Sequence, residues 1–158
     1  TTVAKILYNA LSGHRIFFNI ANDRQIYGLS DVTVSTPKDL FIAIDNGLHR
    51  INYLPPNDPI PRTNHMYALY ELLLEMGNQV AKLPQFYNNP LPFWSTLFVD
   101  EAHLVAQKHS NTDGLSLLTT RGAGLGVRAI SITQRPALIS STVLSQSPYY
   151  FIFQINNV

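Results

Sequence analysis

The stretch Ser95-Thr96-Leu97-Phe98-Val99-Asp100-Glu101-Ala102-His103 decides how the chain is read. Leu97, Phe98 and Val99 form an unbroken apolar run, which predicts a central strand of a parallel sheet buried on both faces. Asp100 and Glu101 come next, at the carboxyl end of that strand, where open α/β sheets gather their ligands. Adjacent carboxylates are costly to bury unpaired, so they are expected to face a cation or water. The structural alternative is that they cap the next helix, favoured by its dipole.

Downstream, residues 127–133 (VRAISIT) are β-rich and end at Gln134, with Arg135-Pro136 after it as a helix start. A neutral amide at the tip of a neighbouring strand can sense a phosphate without adding negative charge. In nucleotide hydrolases an Asp-Glu strand of this kind is the Walker B pair. Its first carboxylate holds Mg²⁺, usually through water, and its second polarises the attacking water. Strands ending in Asp-Glu and Thr-Gln, joined by a long crossover, are far more specific together than either alone.

Composition sets the bounds. The chain has 158 residues, 46% of them hydrophobic and 13% charged, which predicts one core-rich globular domain over residues 1–158. A net charge of +1 neither announces nor excludes a nucleic-acid partner. Cysteine is absent, so disulfides and thiolate metal sites are excluded and an intracellular setting is favoured. No apolar run reaches transmembrane length.

Along the chain, helical spacing of Val3, Ile6, Leu7 and Leu11 predicts a first helix closed by Gly13. Residues 15–20 and 31–35 read as strands, and Thr36-Pro37-Lys38-Asp39 as a capped helix start. Residues 49–54 read as a strand and 55–62, with four prolines, as a loop. The longest amphipathic helix is expected over 64–80. A loop over 83–92 leads to the Asp-Glu strand, with short helices after it at 104–110 and 115–121. After the Gln134 strand a helix to about Leu144 and a strand over 149–155 are expected. The alternation predicts an α/β fold with a mostly parallel central sheet flanked by helices.

No G-x-x-x-x-G-K-[ST] phosphate loop occurs in the sequence. Thr1-Thr2-Val3-Ala4-Lys5 instead looks like the helix start that comes after the Gly-Lys of such a loop. The first strand and the loop itself are therefore expected just before Thr1, although an ordinary capped helix also starts this way.

The segments LFVDEAH (97–103), TTRGAGLGV (119–127) and SITQRPALISSTVLSQS (131–147) together resemble the FtsK/HerA superfamily of ATP-driven DNA motors. The likeness is good over residues 95–153, and Thr-Gln-Arg-Pro is its most discriminating piece. It implies a RecA-like P-loop core that uses ATP and Mg²⁺. Asp100 would bind Mg²⁺ through water, Thr1 would supply its hydroxyl ligand with Thr2 as the second choice, and Glu101 would be the catalytic base. Gln134 would read the γ-phosphate. Arg121 stands where the family carries an arginine finger acting on a neighbouring subunit, with Arg128 and Arg135 as competitors. The implied partners are double-stranded DNA, a homo-oligomeric ring and, for a genome-packaging motor, a viral capsid vertex. The implied setting is the host cytoplasm or the virion.

Other readings stand beside this one. Asp100-Glu101-Ala102-His103 also spells the box of DEAH helicases, but Thr133-Gln134 stands where those enzymes carry a Ser/Ala-Thr motif. A helicase, a nucleotide switch and a scaffold without its phosphate loop remain alternatives, as do DNA transfer, end processing and filamentous-phage assembly within the superfamily. His103 reads as a first-turn helix residue near the site rather than a coupling element, and the five histidines show no ligand spacing. Gly122 to Gly126 precedes a strand and reads as a turn, not a dinucleotide fingerprint. Tyr87, Phe93 and Trp94 are aromatic enough for a stacking platform but fit core packing better. Lys108, His109 and Ser110 are candidates for a DNA-facing loop by position.

Overall fold

A computed structural model describes residues 2–83 and 93–149 of the chain. The strands are β1 (His14–Phe18), β2 (Val32–Val34), β3 (Arg50–Tyr53), β4 (Ser95–Val99) and β5 (Val127–Ser131). They form one sheet of order β2-β3-β1-β4-β5, and every pairing is parallel. The helices are α1 (Thr2–Ala10), α2 (Arg24–Leu29), α3 (Pro37–Asp45), α4 (Pro59–Val80), α5 (Gly114–Arg121) and α6 (Ser141–Ser145).

Period-two alternation assigns the side chains to two cores. Ile16, Phe18, Ile51, Tyr53, Leu97 and Val99 point to the face covered by α3, α4, α5 and α6, where they meet Leu40, Leu69, Leu73 and Leu118. Phe17 and Phe98 point to the other face and meet Ala4 and Tyr8 of α1 and Ile26 of α2. There Phe17 and Phe98 stack at 5.9 Å, and Tyr8 sets its edge against both, at 5.8 and 5.5 Å. Full burial of one such side chain contributes roughly 1.5–3 kcal/mol. All of β4 is buried, as its apolar run requires when helices cover both faces.

Several local expectations hold in detail. Thr36 caps α3, accepting from Asp39 N–H at 3.1 Å and donating to the Asp39 carboxylate at 2.7 Å, with Pro37 in the first turn. Gly13 adopts φ +77°, and a Cβ there would stand 2.4 Å from the Trp94 carbonyl oxygen, so the entries to β1 and β4 meet only across a glycine. Trp94 is 7% exposed and donates its indole N–H to Leu125 O at 2.8 Å, a core role rather than a stacking platform. Gly122 to Gly126 is a short 3-10 turn leading into β5.

Other expectations are corrected. The helix expected from residue 64 begins at Pro59, because prolines in a first turn forfeit only N–H groups that have no intrahelical acceptor. Arg62 ties that start down by donating to Pro56 O and Asn57 O. α2 has no counterpart among the elements read from the sequence; Asp23 caps it by accepting from Gln25 N–H at 2.9 Å, and Ile26 is its buried residue. The helix expected over 104–110 is a 3-10 turn at Ala102–Leu104 and then irregular chain. That chain is held by Ser140, whose hydroxyl donates to Ser110 O at 2.9 Å, and by Asp113, which caps α5. The helix expected up to Leu144 is a 3-10 turn at Pro136–Leu138 and the five-residue α6. Tyr87, the residues of the expected strand beyond Tyr149, and Thr1 lie outside the described residues.

Candidate functional site

The strands run in register, so their carboxyl ends stop on one line: Phe18 opposite Val99, and Val99 opposite Ser131. Backbone pairing continues past that line. Asp100 N–H donates to Phe18 O at 3.2 Å, Ile132 N–H to Val99 O at 2.9 Å, and Ala102 N–H to Ile132 O at 2.9 Å. These bonds hold Asp100, Glu101 and the Thr133-Gln134 tip as neighbours at one sheet edge.

The chain must turn sharply there, and Glu101 absorbs the turn. Its backbone is left-handed (φ 46°, ψ 46°), a conformation that costs a residue with a Cβ roughly 1–2 kcal/mol. The turn sends Asp100 inward and Glu101 outward: Asp100 is 6% exposed, whereas the Glu101 side chain is half-buried. Burial first, then repulsion from Glu101 and Asp23, raises the proton affinity of the Asp100 carboxyl. The N–H groups of Glu101 and Ala21 oppose that shift in part. The Glu101 side chain makes no capping bond to the 3-10 turn after it, so helix capping does not account for that carboxylate.

His103, in that 3-10 turn, is nearly buried and points back to the edge. Its Nδ1 is 2.9 Å from Thr133 Oγ1 and 3.4 Å from Glu101 Oε2. Thr133 Oγ1 also accepts from Arg135 N–H at 3.0 Å. Gln134 and Arg135 belong to the tip of this edge, and Arg135 is exposed.

α1 runs back against the strands, so its first turn reaches the same edge. Lys5 pairs with Asp23 at 2.7 Å and donates to Gln25 at 2.6 Å, joining α1 to the loop after β1. Burial works against the Asp23 carboxylate, but the Lys5 and Gln25 hydrogen bonds and the Lys5 charge outweigh it and lower its proton affinity. Buried Asn19 holds the loop closed, accepting from Asp23 N–H at 2.8 Å and donating to Asn52 Oδ1 at 3.1 Å. Thr2 is exposed at the start of α1.

Arg121 is elsewhere. It ends α5 before β5 begins, at the amino edge of the sheet, and donates to the Tyr70 hydroxyl at 2.9 Å. β5 has five residues and separates the two edges by about 16 Å. Arg128 donates to Thr96 Oγ1 at 2.8 Å and lies over the Phe93 ring, so it is engaged within the sheet layer. Lys108 and His109 are exposed.

The structure thus brings together Asp100, Glu101, Gln134 and the α1 start, and keeps Arg121 apart from them. The sequence favours a helix-turn residue over a coupling element at His103, and it does not single out Lys5, Asn19 or Asp23. The i+2 spacing of Glu101 and His103 is the available signal for His103. Among the described residues, no three His, Asp or Glu side chains converge as a metal cage, and no helix is long and apolar enough to cross a membrane. No protein-family model and no curated protein matches this chain.

Proposed function

We propose that this chain is the ATP-hydrolysing core of a ring-forming DNA motor of the FtsK/HerA type, moving double-stranded DNA, with viral genome packaging as its task. One observation carries the reading. Asp100-Glu101, Thr133-Gln134 and the first turn of α1 share one carboxyl edge of an all-parallel sheet. The choice of packaging rests on the resemblance.

Hydrolysis needs a base for water, a sensor for the phosphate and charge for the transition state. Glu101, partly exposed at the edge, is the base. Water attacks the γ-phosphorus, its proton passes to Glu101, and the bond to the β–γ bridging oxygen breaks to leave ADP and inorganic phosphate. Gln134 hydrogen-bonds the γ-phosphate with a neutral amide.

The donor set suits a divalent ion bound with the nucleotide. Asp100 is a buried carboxylate crowded by negative neighbours, a setting that a cation relieves. Asp100, through water, and Thr1, or Thr2 in its stead, would hold Mg²⁺, with phosphate oxygens and water completing its shell. The ion would supply positive charge to the phosphate oxygens.

Arg121 is about 16 Å of strand away from the carboxylates of its own chain, so it acts on ATP bound by a neighbouring copy. That makes the site shared between subunits, with DNA passing through the ring they form.

The test is ATP turnover by the full-length protein, with and without double-stranded DNA, beside Glu101→Gln. DNA-stimulated turnover, reduced at least ~100-fold in the variant, is expected. Parent-like turnover by Glu101→Gln would defeat the assignment of the base.

A further inference from the structure

We infer that His103 is a positioning residue for Glu101, fixing the direction of its carboxylate with an N–H that Thr133 holds and that Glu101 stands beside; the inference rests on the ATPase reading above. The geometry narrows the chemistry. His103 Nδ1 has two oxygens near it, Thr133 Oγ1 at 2.9 Å and Glu101 Oε2 at 3.4 Å. A carboxylate oxygen can only accept, and a bare ring nitrogen facing it would be repelled, so Nδ1 carries the hydrogen. That N–H is held by Thr133, and Glu101 Oε2 stands beside it as the acceptor it does not yet engage.

Thr133 is tied to the sensor tip. Thr133 Oγ1 accepts from Arg135 N–H at 3.0 Å, and Gln134 lies between these residues in the chain. A nucleotide that draws Gln134 toward its phosphate moves Thr133 with it. The N–H of His103 is then released from Thr133 and given to Glu101. The carboxylate is thereby aimed only when the sensor is engaged. His103 can hold this position because its ring is nearly buried and its backbone belongs to the Ala102–Leu104 turn, itself fixed by Ala102 N–H on Ile132 O.

The experiment compares His103→Ala, His103→Asn and Thr133→Val with the parent in the full-length protein, measuring kcat and KM for ATP and the binding of a fluorescent nucleotide. In His103→Ala, kcat is expected to fall at least about tenfold while KM and nucleotide affinity stay within about twofold. Asn carries an N–H where Nδ1 stands and is expected to restore kcat to within about threefold of the parent. The double variant His103→Ala/Thr133→Val is expected to be no slower than the slower single one, because both break the same link. Where His103→Ala fails to fold, the comparison is His103→Asn with His103→Leu, side chains of similar shape that differ in the N–H. Parent-like kcat in His103→Ala or His103→Leu, or losses that multiply in the double variant, overturn the inference and leave the ATPase reading intact. Absence of turnover in the parent overturns both.

Discussion

Lys5 on α1 and Asp23 in the loop after β1 form an ion pair of 2.7 Å, the contact that ties the start of the first helix to the edge where Asp100 and Glu101 stand. The pair is partly exposed, so its energetic weight is small. Lys5→Met is expected to cost about 0.5–1 kcal/mol in chemical denaturation at low salt, with the difference shrinking in high salt. A salt-independent loss would mean that Lys5 acts through packing of its stem.

Asp100 should make the metal-free protein less stable as pH rises. Its carboxyl binds a proton more tightly folded than the ordinary value of 3.8, because of burial first and then repulsion from Glu101. The folded state therefore holds more protons than the unfolded state in the window from the ordinary value up to the raised one, and stability falls across it. Asp100→Asn is expected to raise the Tm at neutral pH, without Mg²⁺ or nucleotide, and to match the parent below the ordinary carboxylate range. Thermal unfolding across pH checks it. A parent whose stability rises through that window relative to the variant would contradict the sign.

Glu101 trades local stability for its position. Its left-handed φ of 46° suits glycine, so Glu101→Gly is expected to stabilise the fold by about 0.5–1 kcal/mol while abolishing turnover. Denaturant midpoints and ATP hydrolysis measured together read both effects. A destabilised Glu101→Gly would show that side-chain contacts such as that with His103 outweigh the backbone strain.

Arg121→Ala is expected to lose hydrolysis while nucleotide binding is kept, and to lose about 1 kcal/mol of stability with the Tyr70 hydrogen bond. In the proposed site, with Arg121 and Glu101 from different copies, mixing Arg121→Ala with Glu101→Gln should restore turnover. Where an Arg121→Ala copy holds the nucleotide and a Glu101→Gln copy supplies the finger, an intact Glu101 meets an intact Arg121. Mixtures as inactive as their parts would argue against a finger supplied by a neighbour.

Much of this fold is legible locally. The apolar run at Leu97 to Val99 suits only a strand buried on both faces, and Thr36-Pro37 suits a helix start, since each depends on residues adjacent in the chain. The start of α4 is obscured because four prolines look like a loop, although two of them sit where a first helical turn tolerates them. α2 escapes notice because it buries only Ile26 and carries a glycine inside.

By itself, the sequence determined the α/β class, the strand that ends in Asp100-Glu101 and the pairing of that motif with Thr133-Gln134. These come from side-chain chemistry and short-range periodicity. Only the tertiary structure decided that β1 lies between β3 and β4, that the start of α1 meets the edge of the carboxylates, that His103 spans Glu101 and Thr133, and that Arg121 ends at the opposite edge. The reason is that strand order and edge are set by pairings between residues far apart in the chain. The period of two tells which face a side chain takes, but not which strand will lie beside it.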